Sequence, residues 1–278
     1  MPLLESVPWG VSPQLACFIR CLAGDAMHLA GKTILITGGR RVGSELALLL
    51  ADRGANVVMT YFRSRERIEA VVAQVKQRGV LALAVEADLR QADDVERVVH
   101  ETVETFGSLD CLVNMASEFH PTPFDELTPG QFDDNIASNL GAPYLTAVAA
   151  AKAMRRQPVV DGLQGKIVNF ADWAVERPYR DHLPYLIAKG GVVTLTKALA
   201  VELAPTITVN AIAPAMIDPP PHLSPDDIDD IRRASPLNRI GCPADVNRLV
   251  MYLLEGTDFV TGVVYRVDGG RFLGAIKE

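Results

Sequence analysis

Cysteine is scarce in this chain of 278 residues, with only Cys17, Cys21, Cys111 and Cys242. Four thiols at this length build no disulfide framework. Cys17 and Cys21 have helical spacing, but no obvious ligand partner accompanies them, so they read as apolar packing rather than a metal site. A reducing, cytoplasmic setting is the simplest expectation. An excess of basic charge is missing too. The 27 Lys and Arg face 34 Asp and Glu, for a net charge of −7. Nucleic-acid binders need a basic face, so no nucleic-acid partner is expected. No apolar run reaches the ~18–20 residues of a spanning helix, so no membrane partner is expected either. His100, His120, His182 and His222 share no metal-ligand spacing and read as solvated surface positions; no metal is expected. There is no internal repeat and no low-complexity tract.

What is present fits one large α/β domain: 49% hydrophobic and 22% charged residues. The first residues look unlike the rest. They lack the basic start of a signal peptide, and Arg20 is the only basic side chain in 1–26, a poor fit to a transit peptide. Residues 1–28 are therefore read as a loose extension, with Met27 as an alternative start, and 29–278 as the folded domain. Deleting 1–26 tests this, since a loss of solubility and activity would show the leader to be structural.

From Lys32 onward, β-rich runs alternate with helical ones. TILIT (33–37) is continuously apolar, as strands buried on both faces are. Further strands are expected at 55–62, 80–88, 109–116, 165–172, 206–214 and 262–270. Helices are expected at 44–54, 64–79, 92–107, 184–204 and 246–256. A helical region at 128–157 should kink or break near Pro143. The segment 214–235, with three prolines at 219–221, reads as a loop or lid over the substrate, and DDIDD (226–230) within it as a solvated acidic helix start. The alternation predicts a single doubly wound Rossmann domain with a parallel seven-stranded sheet.

The first strand runs into TGGRRVG (37–43), which opens the first helix. Glycines there let backbone approach a pyrophosphate at a helix N-terminus. An acidic residue about 20 positions further on holds the ribose of NAD in such folds. Here that place is Arg63, followed by Ser64 and Arg65. A planar guanidinium suits a 2′-phosphate that a carboxylate would repel, so NADP(H) is the expected cofactor.

Tyr185 and Lys189 stand four residues apart at the start of a helix, hence on one face. An ammonium beside a phenol should pull the tyrosine below its usual pKa of ~10, making it a usable proton donor. Asp172 lies thirteen positions before the tyrosine.

These motifs resemble the short-chain dehydrogenase/reductase family over roughly 29–272. They are TGGRRVG, Asp88 after Ala87, VNMA (113–116), Asn139 in SNLGAPY, YLIAK (185–189), TVNAIAP (208–214) and VDGG (267–270). The resemblance implies cofactor contacts from Thr37, Gly38, Gly39, Arg40, Arg41, Val42 and Gly43 in the phosphate loop. Arg63, Ser64, Asp88, Leu89, Asn114, Ala116, Pro214 and Ile217 would supply the rest. Asp88 would meet the adenine, Asn114 steady the cofactor and the sheet, Asn139 support a proton relay, and Lys189 bind the nicotinamide ribose. Relatives of this kind are commonly tetramers, so a homo-oligomer, tetramer or dimer, is implied.

Most of that family has a serine where this chain has Asp172. An ionised aspartate only accepts hydrogen bonds and would repel a developing oxyanion. It suits a substrate bearing N–H groups. Pteridine reductases share the Asp172, Tyr185 and Lys189 arrangement, and MASEFHPTPF (115–124) is similar to their segment after the fourth strand, where an aromatic matched by Phe119 stacks the pterin. The implied reaction is hydride transfer from NADPH to a C=N bond of a pterin or dihydropterin. Asp172 and Tyr185 would deliver the proton, and Arg41 would touch the cofactor phosphates and the substrate. The alternatives are a carbonyl reductase acting on a 3-oxoacyl thioester, sugar or quinone, and an NADPH-binding module without catalysis. Three departures stand out. The phosphate loop is one residue short, which leaves the roles of Arg40 and Arg41 interchangeable. Met115 follows Asn114 where a second asparagine is usual. Pro219 replaces a threonine that binds the carboxamide, which leaves the nicotinamide end to backbone.

Overall fold

The computed structural model describes residues 26–39, 41–219 and 223–274. Its centre is a seven-stranded sheet in the order β3-β2-β1-β4-β5-β6-β7, parallel at every pairing. The strands are β1 (Thr33–Thr37), β2 (Asn56–Tyr61), β3 (Ala82–Glu86), β4 (Cys111–Asn114), β5 (Gly165–Phe170), β6 (Ile207–Pro214) and β7 (Val264–Val267). Between them run α1 (Val42–Asp52), α2 (Arg65–Lys76), α3 (Ala92–Phe106), α4 (Pro129–Ile136), α5 (Ala142–Met154), α6 (Leu183–Glu202), α7 (Pro225–Arg233) and α8 (Pro243–Met251).

Successive residues of β1 point to opposite faces, and both faces are covered. Ile34 and Ile36 join Leu46, Leu50, Ile68 and Val250 in one core. Leu35 joins Val98, Leu112, Ala150 and Val209 in the other. That is why the strand carries no polar alternation: no residue of it reaches water. β1 pairs with β2 on one side and β4 on the other, so the chain winds outward in both directions from that seam. The carboxyl ends of the strands open a crevice there, the place where such sheets bind ligands.

Several expectations shift. The strands at 80–88, 109–116 and 262–270 are shorter than the apolar runs that suggested them, because flanking residues lie beyond the ladder. The last long helix begins earlier than 246, at Pro243, with Asp245 and Cys242 forming its capping box. It passes at Tyr252–Gly256 into a π-helical segment, where the buried Lys166 ammonium takes the carbonyls of Leu254 and Thr257 at 2.8 and 2.7 Å. The irregularity expected near Pro143 is present as the π-helical segment Ala137–Gly141, which joins α4 to α5; Pro143 itself sits in the first turn of α5. The expected loop 214–235 contains α7, started by the Ser224 and Asp227 capping box, and DDIDD opens that helix with Asp226, Asp227 and Asp230 exposed, as expected of a solvated acidic helix start. Met27 packs against the first core, and Leu29 is buried in it. The leader up to residue 25, with Cys17 and Cys21, lies outside the described residues, as do Arg40 and His222.

Candidate active site

The site forms where β1, β4, β5 and β6 end. Gly38 and Gly39 turn the chain away from β1 at φ +62° and +81°, a region side chains rarely adopt. A Cβ on Gly38 would come within 2.9 Å of the Ala116 backbone, and one on Gly39 within 2.9 Å of Gly43. The two loops thus touch through bare backbone. Arg41 occupies the N-cap of α1 but gives no side-chain cap, so the first N–H groups of the helix have no such partner. Its guanidinium instead reaches Asp218 after β6, at 2.5 Å to the carbonyl and 3.1 Å to the carboxylate. Val42 follows, its carbonyl taking the buried amide of Asn247. Ile217 bridges to Gly241, and Pro214 ends β6.

Thr37 and Asn114 lock this end of the sheet. Thr37 donates to Asn114 Oδ1 at 3.3 Å and accepts from the N–H groups of Met115 and Ala116. The Asn114 amide donates to Asn169 of β5, and Thr146 of α5 donates to Asn114. Asn114 therefore ties three strands and a helix together while itself fully buried.

At the outer end, Arg63 lies 5.3 Å and Arg90 5.6 Å from the Phe62 ring centroid. Arg90 also grips both Asp88 carboxylate oxygens, at 2.8 and 2.7 Å, and this bonding holds Asp88 below the usual carboxylate range. Arg90 belongs to none of the motifs that mark the cofactor site in the sequence. Arg65 is ion-paired with Glu86, so Arg63 is the guanidinium of this loop without an ion pair among the described residues. Ser64 caps α2 by position only, and Leu89 is buried in the second core.

The reacting end is built on β5, α6 and the π-helical segment. Tyr185 Oη donates to Asp172 Oδ2 at 2.8 Å, and the other carboxylate oxygen accepts from the Ala174 N–H at 2.8 Å. Lys189 Nζ donates to the Phe170 carbonyl at 2.8 Å and lies 5.8 Å from the Tyr185 ring centroid. Asn139 is fully buried. Its Oδ1 accepts from Ser117 Oγ at 2.7 Å and from the Glu118 N–H at 3.0 Å. Pro143 has no N–H to offer the Asn139 carbonyl four residues back, which is why a polar residue sits in a distorted turn here.

The expectation for the phenol is corrected. Tyr185 is pushed well above its ordinary value, first by burial and then by the Asp172 carboxylate beside it. Lys189 does not offset this, because its ammonium is spent on the β5 carbonyl and burial lowers it to about 8. Asp172 is itself raised by burial, against the pull of its hydrogen bonds. A proton shared between two oxygens that both resist ionisation is the result.

His182, expected as a solvated surface residue, is instead half-buried. Its ring stacks on Phe119 with centroids 4.3 Å apart and planes 13° from parallel, and Phe119 meets Tyr185 edge-on at 4.9 Å. Tyr179 meets His182 edge-on at 5.1 Å. His182 Nδ1 lies 3.0 Å from the Arg180 carbonyl, so Nδ1 carries the hydrogen, and Nε2 is buried with no partner among the described residues. These rings form one aromatic wall beside Asp172. Their sequence separations gave no sign of it. Among the described residues no cluster of His, Cys, Asp and Glu could hold a metal, and no helix is long and apolar enough to cross a membrane.

A glycine-lined helix N-terminus at the end of the first strand of a parallel sheet, facing a buried Tyr and Lys, defines a nicotinamide-dependent oxidoreductase. Comparison with known proteins makes this specific. The family model described as enoyl-(acyl carrier protein) reductase matches residues 39–271. The 3-oxoacyl-[acyl-carrier-protein] reductase of Staphylococcus aureus is 35% identical over 249 residues, covering 87% of this chain and 98% of that protein. Versicolorin reductase 1 of Aspergillus parasiticus is 32% identical over 265 residues, 89% of this chain and 99% of that one. Among solved structures, a short-chain dehydrogenase from Burkholderia cenocepacia in complex with NADP superposes with a TM-score of 0.80 at 32% identity, covering 88% of this chain and 99% of that one. A short-chain dehydrogenase/reductase from Serratia marcescens gives 0.81 at 31%, covering 88% and 100%. The chain belongs to the short-chain dehydrogenase/reductase family.

Proposed function

We propose that this chain is an NADPH-dependent reductase of a carbonyl group carried on a planar, conjugated substrate. The observation that carries the reading is the stack of Phe119 on His182, set edge-on to the Tyr185 ring whose hydroxyl meets Asp172 at 2.8 Å. Rings prefer to bind rings, and this wall stands directly beside the proton donor. The kinds of relative, a 3-oxoacyl-[acyl-carrier-protein] reductase and a versicolorin reductase, support a carbonyl as the reducible group.

The residues fit NADPH. The Gly38–Gly39 turn leaves backbone open where a Cβ would collide, at the start of a helix without a side-chain cap. Arg63, without an ion pair among the described residues, offers a guanidinium for a 2′-phosphate, and Arg41 stands at the phosphate end. Bound there, NADPH supplies the hydride. Tyr185 donates the proton to the carbonyl oxygen, and Asp172, raised by burial, accepts the Tyr185 hydroxyl and holds it in place. Lys189 holds the strand end and the ribose, and Ser117 and Asn139 carry the hydrogen-bond chain behind the tyrosine. A homo-oligomer is part of the reading, supported by exposed Phe132, Tyr144 and Ile187 on α4, α5 and α6.

A second reading is reduction of a pterin C=N bond, and Asp172 favours it. A carboxylate at this place accepts the N–H groups of a pterin, which a serine does less well. NADPH consumption by the purified chain separates the two. Menadione, a 3-oxoacyl thioester and dihydrobiopterin are offered to the wild type and to Asp172→Ser. Turnover of the quinone, kept in the variant, is expected. A preference for dihydrobiopterin that the variant abolishes would replace the first reading by the second.

A further inference from the structure

A cavity of about 560 Å³ opens between the β6–α8 connection and the turn after β7, and three arginines line it: Arg239, Arg266 and Arg271. Two of these are paired. Arg239 grips Asp245 at 2.6 and 2.8 Å, and Arg266 is bound to Glu176. The nearest acid in the turn, Asp268, is occupied by the N–H groups of Gly270 and Phe272. Arg271 has no ion pair among the described residues. Its guanidinium lies 4.9 Å from the Trp173 ring centroid. Trp173 is the residue after Asp172 and packs in one cluster with Tyr185 and Leu186. A single indole thus separates this cation from the reacting groups.

A second cation stands behind it. Arg177 donates to the carbonyls of Arg271 and Phe272 at 2.7 and 3.2 Å, with no carboxylate among its partners in the described residues. Its charge is therefore held beside that of Arg271. Burial first, and then the like charge of Arg177, draw Arg271 below its ordinary value, although Tyr179 and Asp172 pull it the other way. Half-buried charges are ordinarily paired, because leaving water without a partner is costly. Among the described residues neither Arg271 nor the exposed Arg177 has an ion pair, and Asp172 acts on Arg271 through its charge alone, without a hydrogen bond.

We propose that Arg271, backed by Arg177, is a specificity-determining residue that receives an anionic group, such as a carboxylate, sulfonate or ionised phenol, on the edge of the planar substrate facing the C-terminal turn. This rests on the reading of the site as a reductase of planar carbonyl compounds, and it names the substrate class that reading leaves open. The planar ring meets the aromatic wall, the reducible bond meets Tyr185 and Asp172, and the acidic edge meets the guanidinium over Trp173.

Isatin and isatin-5-sulfonate test it, since they share the planar carbonyl and differ by one permanent negative charge. The wild type, Arg271→Leu and Arg271→Lys are compared with NADPH as donor. The wild type is expected to favour the sulfonate in kcat/KM, through KM rather than kcat. That preference should fall about tenfold or more in the leucine variant and be largely restored by lysine. Calorimetric titration of both probes into the NADP+ complex is run in parallel. Preferential binding of the sulfonate without turnover of either probe supports the anion site and sinks the carbonyl reading. Turnover of both at equal kcat/KM keeps the carbonyl reading and overturns the role of Arg271. Equal binding of both, or binding of neither, also overturns it. If the leucine variant does not fold, the wild-type preference and its retention in the lysine variant decide the matter alone.

Discussion

Replacing Asp172 by Asn should lower the pKa of Tyr185. In the wild type the phenol is pushed up by burial and by the neighbouring carboxylate, 2.8 Å away. Asn keeps the shape and removes the charge, so burial remains and the repulsion of phenolate by carboxylate is lost. Two unit charges at that separation repel by about 1.5 kcal/mol at water's dielectric and about 6 kcal/mol at the effective value of ~20 used for protein sites. At about 1.4 kcal/mol per unit, the expected fall lies between ~1 and ~4 pKa units. The assay is an ultraviolet difference titration of tyrosinate, with Tyr185→Phe in each background subtracted to isolate this one phenol. An unchanged or raised value in Asp172→Asn would show that the carboxylate does not set the proton affinity of the tyrosine, and the shared-proton account would fail.

The remaining predictions test other parts of the site. Arg63→Glu should raise KM for NADPH at least tenfold while moving KM for NADH little, because only the former carries the 2′-phosphate; equal effects in steady-state kinetics would remove Arg63 from cofactor choice. Lys189→Met should abolish turnover yet stabilise the fold. The folded lysine titrates at about 8 against an ordinary 10.5. The unfolded chain therefore binds the extra proton between those values, and wild-type stability should climb with pH across that window. Below pH ~8 the buried charge costs on the order of 3 kcal/mol, so the variant's advantage in denaturant melts should be greatest there and shrink toward pH 10.5. Gly38→Ala should cost about 1–3 kcal/mol and weaken NADPH binding, since the residue combines φ +62° with a 2.9 Å approach to the Ala116 backbone; an unperturbed melt and cofactor titration would contradict the bare-backbone contact.

The sheet was legible in the sequence because strands covered on both faces are predominantly apolar, as TILIT is and as ITVNAIAP is apart from the buried Thr208 and Asn210. The phosphate turn was legible for a related reason, since only glycine tolerates both the positive φ and the close approach. The start of helix α7 was legible in DDIDD, and Ser224, Pro225 and Asp227 carry the matching capping signal; the prolines before it hid only its extent. The i, i+4 spacing rightly put Lys189 beside Tyr185. It could not show that the Phe170 carbonyl, distant in sequence, would claim the ammonium and leave the phenol to Asp172. The pairing of His182 with Phe119 and the meeting of Arg90 with Phe62 and Arg63 were likewise invisible, being contacts between loops that only the completed sheet brings together.

The central claim is that Tyr185 delivers the proton when a planar carbonyl is reduced at this site. Its most direct test is the rate of NADPH oxidation with isatin-5-sulfonate by the wild type and by Tyr185→Phe, with NADPH binding measured in both. The account predicts turnover in the wild type, a loss of at least a hundredfold in the variant, and equal NADPH affinity. Comparable rates in the two proteins, or no oxidation by the wild type, would contradict it.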